Sequence, residues 1–135
     1  MRPSARDCET GFVQRIPTCR GRCKGMLSFQ KLDVYRCAIE LLALTSTIAF
    51  PKGLSYVSDQ LRRAALSVPL NIAEAAGRNS KADAARHYAI ARGSAMECAA
   101  ILDSLLVLAV LDGPPHAQAI ELTARIVAML TRLCR

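Results

Sequence analysis

Aromatic residues are scarce in this chain of 135 residues. It has no tryptophan, and aromatics make up 4% of a sequence that is 52% hydrophobic. The apolar residues are therefore mostly alanine, leucine, isoleucine and valine, a set typical of packed helices and not of an aromatic-rich β-sandwich. The length fits one domain with a substantial core. The composition predicts an all-α protein.

Long hydrophobic runs are also lacking. The longest, residues 99–111, is interrupted by Asp103 and Ser104, whereas a membrane-spanning helix needs about 20 apolar residues. The first residues are polar and contain no apolar segment of the signal-peptide type. Because disulfides persist in oxidising compartments, we expect a cytoplasmic protein, without a membrane partner, whose six cysteines stay reduced.

The residue spacings that metal and catalytic sites require are absent. Cys19 and Cys23 could contribute to a zinc site, but no second Cys or His pair at finger spacing completes it. His87 and His116 lack the glutamate three residues earlier that a di-iron bundle uses. No phosphate loop or nucleophile elbow occurs. We therefore expect a protein that is not an enzyme and has no metal or cofactor, with His87 a polar or half-buried helix residue.

The first 25 residues differ from the rest of the chain. Residues 1–25 show no helical or strand period, and they hold six Lys/Arg against two acidic residues, more than half of the net charge of +7. We interpret them as a disordered basic leader, or as an upstream extension of a chain whose natural start is Met26. Residues 26–135 form the folded domain.

Apolar residues recur every three or four positions in four segments, which is typical of amphipathic helices. The first segment carries apolar residues from Val34 to Ala49 and stops at the turn 50–53. The second runs from Val57 to a terminating glycine, Gly77. Pro69 lies inside the second helix and removes one backbone hydrogen bond, which predicts a kink at that point.

The third segment has the most regular pattern. Ser80 is placed to cap it, with Asp83 three residues later as the second half of a capping box. Its apolar stripe follows a heptad repeat: Ala84, Tyr88, Ala91, Ala95, Cys98, Leu102, Leu105 and Ala109. The turn 112–115 precedes a fourth helix. Four helices joined by short loops predict an up-and-down four-helix bundle.

Self-association is predicted by an excess of apolar residues. The C-terminal half of the third helix is apolar over nearly its whole circumference, from Ile101 to Leu111, and the fourth helix has further apolar residues beside its own stripe. A monomeric bundle has no second layer to cover them, so we expect an interface. The alternative is that the three neighbouring helices bury them all.

Several stretches of the sequence resemble one family. The most specific is the run QLRRAALSVPLNIAEAAGR within residues 58–78, and the others are Leu32–Tyr35, Phe50-Pro51, Gly77–Lys81 and Ala91–Ser94 with Glu97. Together they are similar to the four-helix bundle protein family, also called the 23S rRNA intervening-sequence protein family, a bacterial family. The similarity spans roughly residues 29–112. The cysteine-bearing leader and the alanine-rich third helix depart from it.

The resemblance implies an up-and-down four-helix fold and a barrel-like homopentamer. It also points to a relative, the accessory variability protein of diversity-generating retroelements. That protein is a basic pentamer that associates with a reverse transcriptase and its template RNA. A reverse transcriptase and RNA are therefore partners that the resemblance implies for this chain.

Basic residues of the second and third helices are the candidates for binding nucleic acid. The set comprises Arg62, Arg63, Arg78, Lys81, Arg86 and Arg92. Together they could follow a phosphate backbone, and the backbone amides that open the third helix also favour anions. The shortage of aromatics argues against base stacking, so binding should be sequence-tolerant and salt-sensitive. The alternative is that Arg62 or Arg63 pairs with Glu74 or Glu97, within or between subunits.

A second group of residues is expected to have structural roles. It comprises Pro69, Asn71, Glu74 and Gly77. Asn71 and Glu74 lie one turn apart beside the proline, where a side chain can satisfy a carbonyl that the proline leaves unpaired. The sequence thus predicts a non-enzymatic, homo-oligomeric accessory protein that binds RNA or DNA backbone. The alternative function is a protein–protein interaction scaffold with no nucleic-acid role.

Overall fold

The computed structural model describes residues 26–135, so the predictions for residues 1–25, including Cys19 and Cys23, lie outside the described residues. After a single turn of 3₁₀ helix, Ser28–Lys31, the chain forms four α-helices and no strand within this range. They are α1 (Asp33–Ser46), α2 (Ser55–Ala76), α3 (Lys81–Val107) and α4 (Gly113–Leu133). Each helix packs against the next, and α1 packs against α4. The predicted four-helix fold is confirmed.

The core is formed by one buried stripe from each helix. Its largest fully buried side chains include Leu41 of α1, Leu61 and Ile72 of α2, and Ile126 and Leu130 of α4. None of the helices in the described part of the chain has the length and hydropathy needed to cross a membrane.

The heptad of α3 supplies the centre of this core. Ala91, Ala95, Cys98, Leu102 and Leu105 are all fully buried. Small side chains in the first half of this stripe let neighbouring helices approach closely, while leucines fill the second half. The heptad prediction is therefore confirmed over these five positions.

The thiol of Cys98 is expected to be unreactive at neutral pH. Burial raises the pKa of this thiol to about 12, and the neighbouring Glu97 carboxylate adds to the rise. The thiol therefore stays protonated at neutral pH, and a buried, protonated thiol is a poor nucleophile.

The helix caps follow from local sequence. At the start of α3 the Ser80 hydroxyl accepts a hydrogen bond of 3.1 Å from the backbone N–H of Asp83, as predicted. Gly77 directly follows α2, and its N–H donates to carbonyls of the last turn. Helix α2 continues through Pro69 without interruption, and the kink there stays a prediction.

Helix α1 ends earlier than its apolar pattern predicted. The pattern extends to Ala49, but the helix stops at Ser46, and Ala49 is exposed. The reason lies in three consecutive hydroxyl residues, Thr45, Ser46 and Thr47, each of which donates to a backbone carbonyl three or four residues earlier. These bonds satisfy carbonyls of the last turn without further helix.

The predicted end of the α3 heptad is wrong at Ala109. The helix ends at Val107, and Ala109 is exposed with a φ of 55°. The N–H of Ala109 donates to Leu106 (3.1 Å) and that of Val110 to Leu105 (2.9 Å). These two bonds are typical of a Schellman motif, which needs a left-handed residue at the position that Ala109 occupies.

The strain at Ala109 leads to a stability prediction. Because an L-residue loses about 1–2 kcal/mol in the left-handed region while glycine does not, we expect Ala109→Gly to raise the free energy of unfolding by about 1 kcal/mol. Urea denaturation at one fixed protein concentration measures this. The matched control is Ala128→Gly on an exposed face of α4, which should lower stability by about 1 kcal/mol. A loss of stability in both variants would contradict the assignment of strain to Ala109.

Candidate nucleic-acid interface and helix surfaces

A chain of polar side chains crosses between α2 and α3. The Ser94 hydroxyl donates to that of Ser67 (2.9 Å), and the Asn71 amide donates to the Ser67 carbonyl (2.9 Å). The Asn71 side-chain oxygen lies 3.3 Å from His87 Nδ1. Since the Asn71 side-chain nitrogen donates to Ser67, the Asn71 side-chain oxygen is the acceptor of the second bond and His87 is its donor. All four residues are partly buried. We call them the α2–α3 seam.

These contacts fix the register of neighbouring helices. Ser67 faces Ser94 and Asn71 faces His87, so α2 and α3 run antiparallel at a defined height. Between α3 and α4, His116 Nε2 lies 2.8 Å from Asp103 Oδ1. The sequence analysis missed the roles of Ser67 and Ser94, because two serines 27 positions apart carry no pairing signal until the register is known.

The six candidate nucleic-acid-binding residues differ in their surroundings. All are exposed except Arg92, which is half-buried. Arg78 forms an ion pair with Glu74 one turn earlier. Glu97 accepts a hydrogen bond from Gln60. Within the described chain, the two carboxylates considered as partners for Arg62 or Arg63 thus have other partners.

The structure does not bring the six residues together. Arg62 lies 16 residues before Arg78 along the same helical path, a separation of about 24 Å at 1.5 Å per residue. Lys81 and Arg86 lie near Arg78, at the end of the bundle where α2 stops and α3 begins. Arg62 and Arg63 lie towards the other end, with Arg92 between. This separation exceeds the screening length of roughly 8–10 Å at physiological salt.

An uncharged stripe runs along the exposed side of α3. Its members are spaced at heptad intervals, and all are exposed: Ala89, Gly93, Met96 and Ala100. The next position of this spacing is the exposed Asp103, which ends the uncharged run. Among the four residues Met96 is the large one, and it is 57% exposed. We call this set the α3 outer stripe. It is a second heptad on the same helix as the buried one, and its spacing could have been read from the sequence.

Packing among residues 26–135 does not require the glycine in this stripe. A Cβ added at Gly93 would meet none of their atoms within 4 Å. Glycine inside a helix costs about 1 kcal/mol relative to alanine. Gly93 therefore weakens α3 without relieving any crowding among the described residues.

Helix α2 carries a second exposed apolar surface. Tyr56, Leu66 and Leu70 lie on its solvent side, where Leu66 is 46% and Leu70 58% exposed. We call these three residues the α2 outer stripe. The exposed Asp59 and Arg63 lie between Tyr56 and the two leucines.

Exposed Leu106, Val107 and Leu108 mean that a single copy does not bury all the apolar residues around the end of α3.

Comparison with known proteins agrees with this architecture. No curated protein matches the sequence. Among residues 26–135, no cluster of three or more His, Cys, Asp or Glu residues is arranged to hold a metal ion. The family model described as 23S rRNA-intervening sequence protein matches residues 30–132, which include all of α1 to α3 and nearly all of α4. The chain therefore belongs to the 23S rRNA-intervening sequence protein family.

Proposed function

We propose that this protein is a non-enzymatic homo-oligomer, a pentamer by the resemblance described above, that binds the backbone of RNA or DNA as an accessory factor. The observation that carries the proposal is the α3 outer stripe with Gly93 at its centre. A helix of a second copy packed on this stripe would explain a glycine that packing among the described residues of one copy does not require. Small residues at heptad spacing allow such close approach.

A ring also needs a second, different contact surface on each copy. In a closed ring the interface is heterologous, so one surface of a copy meets another surface of its neighbour. The α2 outer stripe supplies an apolar candidate for that second surface, since Leu66 and Leu70 are large and exposed. A bend of α2 at Pro69 would set the direction of this stripe.

The nucleic-acid part of the proposal is supported by exposed cations. Lys81 and Arg86 are exposed and form no ion pair with the described residues. Phosphate backbone is the favoured target because the scarcity of aromatics leaves few surfaces for base stacking. The family's description also connects its members with the intervening sequences of 23S rRNA.

Two measurements on the full chain test the proposal. Light scattering should give the mass of an oligomer at micromolar concentration, and a monomer would refute the assembly. Fluorescence anisotropy with a labelled RNA duplex and a DNA duplex of the same sequence should detect binding to both. Affinity should fall steeply between 50 and 200 mM salt, as counterion release requires. The nucleic-acid role fails if neither duplex binds at 50 mM salt.

A protein–protein scaffold is the second candidate. The observation in its favour is the modest charge of the described chain, where twelve Lys/Arg stand against nine Asp/Glu. In this case the partner is a protein, and a reverse transcriptase is the one that the resemblance suggests. Co-purification of that partner should then survive nuclease treatment, and the duplexes should not bind.

A further inference from the structure

The charges of the described chain are separated along the bundle axis. Because successive helices alternate in direction, three parts of the chain meet at one end: the 3₁₀ helix, the turn between α2 and α3, and the end of α4. Six exposed cations lie there: Lys31, Arg78, Lys81, Arg86, Arg132 and Arg135. We call this the basic end. Asp33, Glu74 and Asp83 are the carboxylates beside them, and two of these are paired, Asp33 with Arg36 and Glu74 with Arg78.

The side-chain contacts between helices fix the positions of these residues along the bundle axis, which we call their heights. His116 of α4 faces Asp103 of α3. Arg132 lies sixteen residues after His116 along α4. The helical turn that contains Arg86 lies sixteen residues before Asp103 along α3. Both steps span about 24 Å at 1.5 Å per residue. Arg132 and Arg86 therefore lie at the same height although they are far apart in sequence.

The opposite end carries no such excess of positive charge. The loops between α1 and α2 and between α3 and α4 meet there, where the exposed Lys52, Arg62 and Arg63 are balanced by Asp59, Asp103 and Asp112. Its exposed apolar side chains include Val107. The positive charge of the described chain is therefore concentrated at the basic end, which is the end that favours an anionic partner.

We infer that the phosphate backbone binds across the basic end, with Lys81, Arg86, Arg132 and Arg135 as the main contacts. This inference rests on the proposed nucleic-acid role and locates its site. Helices packed 8–10 Å apart give an end roughly 20 Å wide, which corresponds to about six base pairs at 3.4 Å each. Four cations on such a surface can each reach a different phosphate.

Assembly strengthens this site. If the copies of a closed ring pack side by side through α2 and α3, their bundle axes run along the ring axis, and every basic end then faces the same side. One long nucleic acid can then contact several copies together, which raises the avidity above the affinity of a single copy. The carboxylates of the opposite ends lie together on the other side.

Two full-chain variants with equal loss of charge test the location. The first removes four cations of the basic end: Lys81→Gln, Arg86→Gln, Arg132→Gln and Arg135→Gln. The matched control also removes one lysine and three arginines: Lys52→Gln, Arg62→Gln, Arg63→Gln and Arg125→Gln. All eight residues are exposed, and residues 1–25 are the same in both variants. Circular dichroism and light scattering verify that fold and assembly are unchanged.

The basic-end variant should bind the RNA and DNA duplexes at least tenfold more weakly at 100 mM salt. Its plot of log affinity against log salt should be flatter by roughly three units, because each lost phosphate contact removes about 0.7–0.9. The control should lose much less affinity. Equal losses would mean that net charge alone matters, and unchanged affinity would place the site elsewhere; either result overturns the inference. If the unmodified chain binds neither duplex, the proposed nucleic-acid role itself fails.

Discussion

Gly93→Leu is expected to convert the proposed oligomer to monomers while leaving the helical content unchanged or higher. The new side chain meets no crowding from residues 26–135 of its own copy, because none of their atoms lies within 4 Å of a Cβ at Gly93. It would project from the middle of the α3 outer stripe into the helix of a neighbour. Overpacking of a close helix contact costs about 1–3 kcal/mol, repeated at every interface of a ring. Light scattering over a range of concentrations measures the loss.

The control for this variant is Ala128→Leu, which adds a leucine to an exposed face of α4. Assembly should persist in that variant. If Gly93 faces only solvent, leucine instead stabilises α3 by roughly 0.8 kcal/mol through its higher helix propensity. A Gly93→Leu oligomer of unchanged mass and higher stability would therefore exclude α3 as the interface.

Leu102→Ala is expected to lower the free energy of unfolding by about 3 kcal/mol. Leu102 is fully buried in the leucine-rich half of the α3 heptad. Its truncation removes apolar contacts and leaves a cavity that the surrounding helices fill only partly, and such changes cost about 2–5 kcal/mol. Urea denaturation at one fixed protein concentration is needed, because the stability of an oligomer depends on concentration.

Leu106→Ala is the matched change on the same helix. Leu106 is partly exposed, so its truncation should cost under about 1 kcal/mol. Similar losses for Leu102 and Leu106 would show that the core around α3 is not tightly packed.

The helices could be predicted from sequence because each carries its own periodic signal. The buried heptad of α3 and the Ser80 cap depend only on neighbouring residues. The errors arose where local chemistry ended a helix before the apolar pattern did. Hydroxyl back-bonding ends α1 at Ser46, and a Schellman motif ends α3 ahead of Ala109.

The candidate site was harder to predict, because it depends on which residues the topology brings together. That Arg86 and Arg132 lie at the same position along the bundle axis follows only from the register of α3 and α4, which the contact between Asp103 and His116 fixes. Arg62 and Arg78 were predicted to act together because both belong to the second helical segment, although about 24 Å of helix separates them. The α3 outer stripe is a different case. It is visible in the sequence as the spacing from Ala89 to Ala100, alongside the buried heptad of the same helix.

The contact between α1 and α4 closes the bundle, and it joins the two helices furthest apart in the chain. The other three helix pairs are neighbours in sequence, so they form with little loss of chain entropy. Closing the last pair requires ordering everything between them, and such long-range contacts slow folding. Among the pairs of neighbouring helices, α2 and α3 share the most extensive contact, so we expect folding to begin with this hairpin. We expect the first helix, the shortest of the four, to dock last, against α4.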